Sequence, residues 1–274
     1  MPTLRELQKR LESAETIKQL AGAMRSAATA KYTKLCAVLE AYSSYAAALR
    51  SISDTCGGAS ISVQSSPDES GSELCVLVSG NRGLCGGYHH QLFTFFADQI
   101  KDKNVRVVTC GKKALDFCRT KKIPVESSFS LSDVPDFAEA KKIAEYCRER
   151  YSAGEIGKVS VCSQRFYNML RSEPHTDVIL GQAAGEAEQA DDGVIFIPER
   201  SSVAKDLEPL MLASCVYDLL LSAATAAQSA TLVAMRSAYD NASSSISSLE
   251  TQINRLRQAA VTASVLETAI DVKE

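Results

Sequence analysis

The sequence contains no tryptophan, and only 6% of its 274 residues are aromatic. It also lacks a strong excess of one charge, since 30 basic and 33 acidic residues give a formal net charge of −3. The basic excess typical of nucleic-acid-binding proteins is therefore missing, and we expect no nucleic acid as a partner. Residues 1–7 are helix-forming and include a glutamate, unlike a secretory signal or a transit peptide. The apolar residues are mostly Ala, Leu and Val, which suits closely packed helices.

Cysteine is abundant, but no two cysteines have the C-x-x-C spacing of zinc or redox sites. The nine cysteines are therefore expected to be reduced thiols, most of them buried in a folded core. Histidine is scarce, with three in the chain. No metal-ligand spacing, paired-carboxylate arrangement or Gly-x-Ser-x-Gly motif stands out. The sequence predicts no catalytic residue, no metal ion and no bound cofactor.

One stretch, Pro209–Met235, is apolar enough to raise the question of a membrane span. It contains Asp218, Gln228 and several Ser and Thr, which would lose their water inside a bilayer. It also has no flanking aromatic belt or basic cluster. We interpret it as a buried packing helix.

Both ends of the chain carry stripes of apolar residues spaced alternately three and four apart. The first stripe runs from Leu4 to Ser53, and only Lys18, Arg25 and Ser53 in it are not apolar. The second runs from residue 221 to residue 270, and neither proline nor glycine occurs after Pro209. This heptad spacing predicts two long helices that pair in a left-handed coiled coil. We expect residues 1–54 and 205–274 to form one antiparallel rod.

The middle of the chain, residues 73–200, alternates short apolar strands with amphipathic helices. Predicted strands are Leu74–Val78, Val105–Thr109, Ile123–Val125, Val159–Cys162 and Val194–Ile197. Predicted helices are Tyr88–Lys101, Lys112–Lys121 and Asp136–Tyr151. The alternation, with apolar runs as strands, predicts a small Rossmann-like, three-layer α/β domain with a mainly parallel sheet.

A glycine-rich loop, Ser79–Tyr88, follows the first predicted strand and opens a helix. Rossmann-type folds bind phosphate at this position, because free backbone N–H groups point there. The glycine spacing is G-x-x-G-x-x-G rather than G-x-G-x-x-G, which favours a tight turn and leaves a nucleotide-binding enzyme as an alternative. Cys85 near the helix start, with His89 or His90 as base, leaves a cysteine hydrolase as a weaker alternative. A buried structural thiol is the favoured interpretation.

The second long helix has very few charges on its surface. Between Leu219 and Val265 its ionisable residues are Arg236, Tyr239, Asp240, Glu250, Arg255 and Arg257. An exposed coiled coil normally carries Lys and Glu at its outer positions. The small, weakly polar exterior therefore favours a helix that is enclosed by other proteins.

Three segments resemble the gamma subunit of rotary ATP synthases. Ser79–Tyr88 is similar to the family's Asp-Arg-Gly-Leu-Cys-Gly-Gly-Leu-Asn loop. Ile17–Lys31 resembles its Ile-Thr-Lys-Ala-Met helix with the Ala-Ala-x-Lys continuation. Val233–Ala242 and Asn254–Thr262 resemble its Met-x-x-Ala-x-Asp-Asn-Ala and Asn-Lys-Ala-Arg-Gln-Ala-Ala-Ile-Thr stretches. The departures include Asn81 in place of the usual Asp, and the family's Gly-Ala-rich tail is absent.

The resemblance implies a central rotor that catalyses nothing itself. Arg257 and Gln258 match the family's polar pair that contacts a catch loop of the beta subunit, and Arg255 is the adjacent basic position. Met24 and Arg25 are expected to face the same region from the first helix.

A second set of contacts is implied for the glycine-rich loop, which should serve domain packing and subunit contact. Its residues are Arg82, Gly83, Cys85, Gly86 and Gly87. The implied partners are three alpha and three beta subunits, an epsilon-type subunit and the membrane rotor ring. The membrane would be met only through these partners, on the cytoplasmic face of a bacterial plasma membrane or on the matrix side of the mitochondrial inner membrane. A coiled-coil adaptor without rotation is the remaining alternative.

Overall fold

The computed structural model describes residues 3–55, 72–101, 103–181 and 199–271. The elements in chain order are α1 (Leu4–Thr55), β1 (Glu73–Val78), α2 (Tyr88–Ile100), β2 (Val105–Cys110), α3 (Lys112–Lys121), β3 (Val125–Phe129), α4 (Phe137–Ser152), β4 (Lys158–Asn168), β5 (Arg171–Leu180) and α5 (Arg200–Asp271). Contacts divide the chain into two compact units. The first comprises residues 1–28 and 231–274, and the second residues 29–230.

The second unit is built on a five-stranded sheet with the strand order β3-β2-β1-β4-β5. β1 to β4 are parallel, and β5 pairs antiparallel with β4 at one edge. One face packs against α2 and α3 through residues such as Leu92, Phe96 and Cys118. The other face packs against α4 and the inner parts of α1 and α5, through residues such as Ile143 and Leu212. The predicted three-layer α/β fold with a mainly parallel sheet is confirmed.

In the first unit, the outer parts of α1 and α5 bury the two apolar stripes. Leu7, Ala21 and Ala28 of α1 are buried, as are Met235 and Ile253 of α5. Helices of this length gain little from propensity alone, so the burial of matching stripes stabilises them. The pairing ends before the helix does, since the last described stripe positions in α5, residues 260 and 263, are exposed.

Sequence reasoning misplaced some of the strands. β3 covers Val125–Phe129 rather than Ile123–Val125. β4 extends six residues past the predicted end at Cys162, and the antiparallel partner β5 was not predicted. β5 alternates exposed and half-buried residues over its first six positions and contains Pro174, a pattern that only an edge strand tolerates. The predicted strand Val194–Ile197 lies outside the described residues.

α5 begins at Arg200, five residues before the predicted start, and contains Pro209 in its interior. It carries a stretch long and apolar enough to cross a membrane, with mean hydropathy 1.6. Of that stretch, 56% is buried inside the protein, and Leu212, Val216 and Leu220 belong to the core of the sheet unit. This burial supports the interpretation of a packing helix. The division of the chain at residues 1–54, 73–200 and 205–274 stays a prediction.

Candidate subunit-contact site

The glycine-rich loop leaves β1 and turns sharply into α2. Leu84 and Gly86 both have left-handed backbone conformations, with φ of 63° and 57°. Leu84 is 60% exposed, whereas the next residue, Cys85, is 5% exposed and packs with Tyr88 and Ala226 of α5. A leucine in this conformation is uncommon and carries local strain. The loop therefore alternates a buried anchor with an exposed apolar side chain.

The first residues of the loop cap helix α3. The Ser79 hydroxyl accepts a hydrogen bond from the Ala114 N–H at 2.7 Å, and the Asn81 side-chain oxygen accepts one from the Lys112 N–H at 3.0 Å. The Lys113 N–H donates to the Gly80 carbonyl at 3.3 Å. These are the donors that a phosphate would use at a helix N-terminus. Because oxygen atoms of the chain itself accept from these three N–H groups, the three donors are not free to bind a phosphate.

Tyr88 and Gln164 fill the space between the carboxyl ends of β1 and β4, where a Rossmann-like fold receives its ligand. The buried Tyr88 hydroxyl donates to the Ala223 carbonyl of α5 at 3.1 Å. The Gln164 side-chain amide donates to the Tyr88 carbonyl at 3.3 Å and is fully buried. The geometry favours packing of the sheet against α5 over the nucleotide alternative.

Cys85 does not have the protonation state of an activated nucleophile, and the imidazole of His89 is engaged by a backbone carbonyl. Burial raises the pKa of the Cys85 thiol, so the protonated form is favoured at neutral pH. Burial lowers the pKa of His89, whose Nε2 is 2.9 Å from the Arg82 carbonyl. His90 is exposed. A buried thiol with a structural role accounts for these observations.

Arg82, the exposed cation of the loop, belongs to a small ionic cluster. Its guanidinium lies 3.7 Å from the Asp133 carboxylate in the segment between β3 and α4. Asp133 also forms an ion pair with Lys31 of α1. The Asn81 amide donates to the Leu131 carbonyl nearby. The loop, α1 and the segment between β3 and α4 are thus joined by polar contacts around Asp133.

We predict that Asp133→Asn lowers the stability of the chain at neutral pH and has little effect in acid. The hydrogen bond from Lys31, together with the charges of Lys31 and Arg82, lowers the pKa of Asp133. The stabilisation is therefore present above the unfolded-state pKa of about 4 and is lost as the pH falls through the lower folded-state value. Because solvent screens the pair, we expect about 0.5–1 kcal/mol at pH 7.

Equilibrium urea unfolding at a series of pH values measures this effect. The free-energy difference between the parent chain and Asp133→Asn should shrink steadily below pH 4. A difference that stays constant down to pH 2 would contradict the assigned ion pairs.

The predicted contact residues of the long helices have different surroundings. Met24 and Arg25 are half-buried, and the Arg25 guanidinium lies 4.8 Å from the centre of the Tyr239 ring. Arg255, Arg257 and Gln258 are exposed on α5. Such a cation–π contact holds Arg25 against its own unit, whereas the three α5 residues present their polar ends outward. Their roles toward a partner stay predictions.

Comparison with known proteins adds the decisive observation. A sequence profile of the family described as ATP synthase matches residues 3–269. The chain belongs to the ATP synthase gamma-subunit family. It is 29% identical over 275 residues to the ATP synthase gamma chain of Desulforamulus reducens, covering 97% of both chains. It is also 29% identical to the gamma chain of Chloroherpeton thalassium, covering 97% of this chain and 96% of that one.

Solved structures share the fold of this gamma-subunit family member. A chain of the Euglena gracilis mitochondrial ATP synthase rotor in rotational state 1 superposes with a TM-score of 0.69 at 14% identity. The match covers 94% of this chain and 98% of that one. A chain of the Tetrahymena thermophila mitochondrial ATP synthase central stalk and c-ring has a TM-score of 0.62 at 19% identity, covering 80% and 99%.

The sequence does not predict the structural roles of several residues around the glycine-rich loop of this gamma-subunit family member. Ser79 and Asn81 were assigned no capping role, although both side chains can accept from a helix N-terminus. Gly111 was not singled out, although it joins β2 directly to α3 and has a φ of 91°. The extension of β4 beyond Cys162 was missed because its residues are mostly polar or exposed.

Proposed function

We propose that this chain is the central shaft of an ATP synthase and couples rotation to ATP synthesis or hydrolysis in the beta subunits. The observation that carries the proposal is the family membership over residues 3–269, joined to two long helices that bury their stripes in one unit. In this role the chain is a subunit of an enzyme complex and performs no covalent chemistry itself. The rod would comprise residues 1–54 and 205–274, and the foot residues 73–200.

The coupling would act through contacts that change as the shaft turns. Arg257 and Gln258, with Arg255 beside them, are exposed on α5 and would meet one beta subunit at a time. Met24 and Arg25 would contribute from α1. An asymmetric shaft that contacts each beta subunit differently shifts that subunit between states of different nucleotide affinity.

The partners follow from the same proposal. Three alpha and three beta subunits would surround the rod, and an epsilon-type subunit and the membrane rotor ring would bind the foot. The small, weakly polar exterior of α5 supports an enclosed shaft that turns without fixed ionic contacts. The curated relatives with the gamma-chain name are bacterial, which favours the cytoplasmic face of a plasma membrane over the mitochondrial matrix side.

Co-purification with alpha and beta subunits tests the proposal. The chain carries an affinity tag and is expressed with the alpha and beta subunits of its own source. We expect one copy of this chain for three alpha and three beta subunits, together with ATP hydrolysis by the complex. A stable chain that binds neither subunit, or binds them in equal numbers without supporting hydrolysis, would favour a static adaptor.

A further inference from the structure

Gly22 is the single glycine of α1, and it lies in the interior of that 52-residue helix. Glycine weakens a helix interior, because it loses more backbone freedom on folding than any other residue. The space beside Gly22 explains its presence, since a Cβ there would lie 3.6 Å from both Cδ2 and Cε2 of Tyr239 in α5. The Tyr239 ring therefore rests over the Gly22 backbone, in space that a long side chain at position 22 would fill.

Two cations of α1 lie over the same ring. Lys18 Nζ is 5.3 Å and Arg25 Cζ 4.8 Å from the centre of the Tyr239 ring. The two cations are seven residues apart, which is about 10.5 Å along a helix, and Gly22 lies between them. All three side chains are half-buried, and an aromatic face attracts a cation more strongly where water is partly excluded. We call Lys18, Gly22, Arg25 and Tyr239 the tyrosine clasp.

The apolar stripes around the tyrosine clasp consist mostly of small residues. The buried positions nearest to it are Ala21 and Ala28 in α1 and Ala242 in α5, with Met235 one turn before Tyr239. An alanine side chain buries little apolar area, so contacts between alanines hold two helices together weakly. The clasp therefore adds aromatic and cation contacts where the stripes themselves contribute little.

The tyrosine clasp is specific for one alignment of the two helices. A shift of one heptad would place Tyr239 beside position 15 or position 29, which are Glu15 and Thr29. Neither is a glycine, and neither has a cation at both of the flanking positions that Lys18 and Arg25 occupy around Gly22. Apolar stripes that repeat every seven residues permit several alignments, whereas a polar stripe position specifies one. The clasp thus favours the observed alignment.

We propose that Tyr239 is a positioning residue for rotary coupling, because it fixes α1 to α5 in the first unit and sets the place of the Arg25 guanidinium. The inference rests on the proposed function, in which α1 and α5 form a shaft and Arg25 contributes to the contact with the ring. Such a shaft transmits rotation only when its two helices turn together. Tyr239 acts on the coupling contact through α1 and Arg25.

Amide hydrogen exchange of the full chain measures how firmly α1 is held. Tyr239→Leu keeps an apolar side chain but removes the aromatic face, whereas Tyr239→Phe keeps the face. We expect exchange in residues 15–28 to be about 5- to 30-fold faster in Tyr239→Leu, the effect of losing two cation–π contacts. Tyr239→Phe should exchange as the parent does. Parental exchange in Tyr239→Leu would overturn the clasp.

Substitutions at position 22 give a matched pair on the other helix. Gly22→Ala places a methyl group at an ordinary contact distance from the ring, whereas Gly22→Leu fills the space that the ring occupies. Gly22→Leu should therefore speed exchange as Tyr239→Leu does, although Tyr239 is intact, and Gly22→Ala should not. Equal exchange in the two variants would contradict the seating of the ring on Gly22.

A second readout is the coupling ratio, the rate of ion pumping divided by the rate of ATP hydrolysis, in vesicles that contain the whole complex. The matched control is Ile246→Ala, which shortens a half-buried stripe residue one heptad after Tyr239 and leaves the clasp intact. We expect Tyr239→Leu to lower the ratio about fivefold, and Tyr239→Phe and Ile246→Ala to keep it. An equal loss in Ile246→Ala would assign the effect to general loosening of the helices and overturn the positioning role.

The two readouts separate this inference from the proposed function. Faster exchange in Tyr239→Leu with a parental coupling ratio overturns the positioning role and leaves the shaft role intact. A parent chain that does not assemble with alpha and beta subunits overturns the proposed function and the positioning role together.

Discussion

Replacing Arg257 and Gln258 together by alanine should lower coupled ATP turnover about fivefold or more while the chain stays folded. Both side chains are exposed on α5, so their removal creates no cavity and unpairs no buried group. Their contribution, in the proposed role, is made to a beta subunit whose nucleotide affinity depends on the contact. Coupling free energies between sites are commonly 1–3 kcal/mol, which corresponds to about 5- to 150-fold.

The measurement is ATP synthesis driven by an ion gradient in vesicles containing the whole complex. The matched control is Thr251→Ala with Gln252→Ala, a pair of exposed polar residues two turns earlier on the same helix. The control should keep parental turnover, and both double variants should assemble and melt like the parent. Full coupled turnover in Arg257→Ala/Gln258→Ala would remove these residues from the coupling contact.

The periodic parts of the sequence predicted the fold well because they are long. The two apolar stripes each repeat over many turns, so an error at one position, such as Lys18 or Arg25, does not change the interpretation. The structure explains these two polar positions in the stripe, since both cations lie over the Tyr239 ring. Lys18 Nζ is 5.3 Å and Arg25 Cζ 4.8 Å from the ring centre. A stripe position filled by a cation is thus compatible with packing when an aromatic ring faces it.

Short and edge elements escaped prediction for physical reasons. The first six residues of β5 alternate between exposed and half-buried, and only its last two, Ile179 and Leu180, are buried. A strand held mainly by backbone pairing with β4 leaves little trace in hydrophobic pattern. β3 escapes prediction for a similar reason, since its residues alternate between half-buried and exposed, and the polar Ser127 lies opposite Val108 of β2.

The candidate site is likewise predictable from the sequence only in part. The position of the glycine-rich loop after β1 follows from the strand and helix pattern, but its hydrogen bonds to α3 join residues 31 and 35 positions apart. The roles of Arg257 and Gln258 came from resemblance alone, because exposed side chains on one helix carry no signal about a partner. The hydrophobic pattern of a sequence predicts which residues the chain buries in its own core. Residues that contact a partner are identified from the structure of the complex or from a related protein.

Gly111→Ala should cost about 3–5 kcal/mol of folding free energy, a large effect for a single methyl group. Gly111 has a φ of +91°, and a Cβ there would lie 2.2 Å from the Ser79 carbonyl oxygen. The backbone cannot retreat easily, because the Gly111 N–H donates to Phe129 and the Ser79 N–H donates to Cys110, both at 2.9 Å. The clash would also disturb the cap that Ser79 provides to α3.

Two other glycines separate the clash from the backbone preference. Gly154 has a φ of +71° with nothing within 4 Å of its added Cβ, so Gly154→Ala should cost only about 1–2 kcal/mol for the left-handed conformation. Gly83, in the glycine-rich loop, has neither a positive φ nor a close neighbour, and Gly83→Ala should be nearly neutral. Urea unfolding of the three variants measures the series. If Gly111→Ala cost no more than Gly154→Ala, the close approach of Gly111 to the Ser79 backbone would not be the reason that position 111 requires glycine.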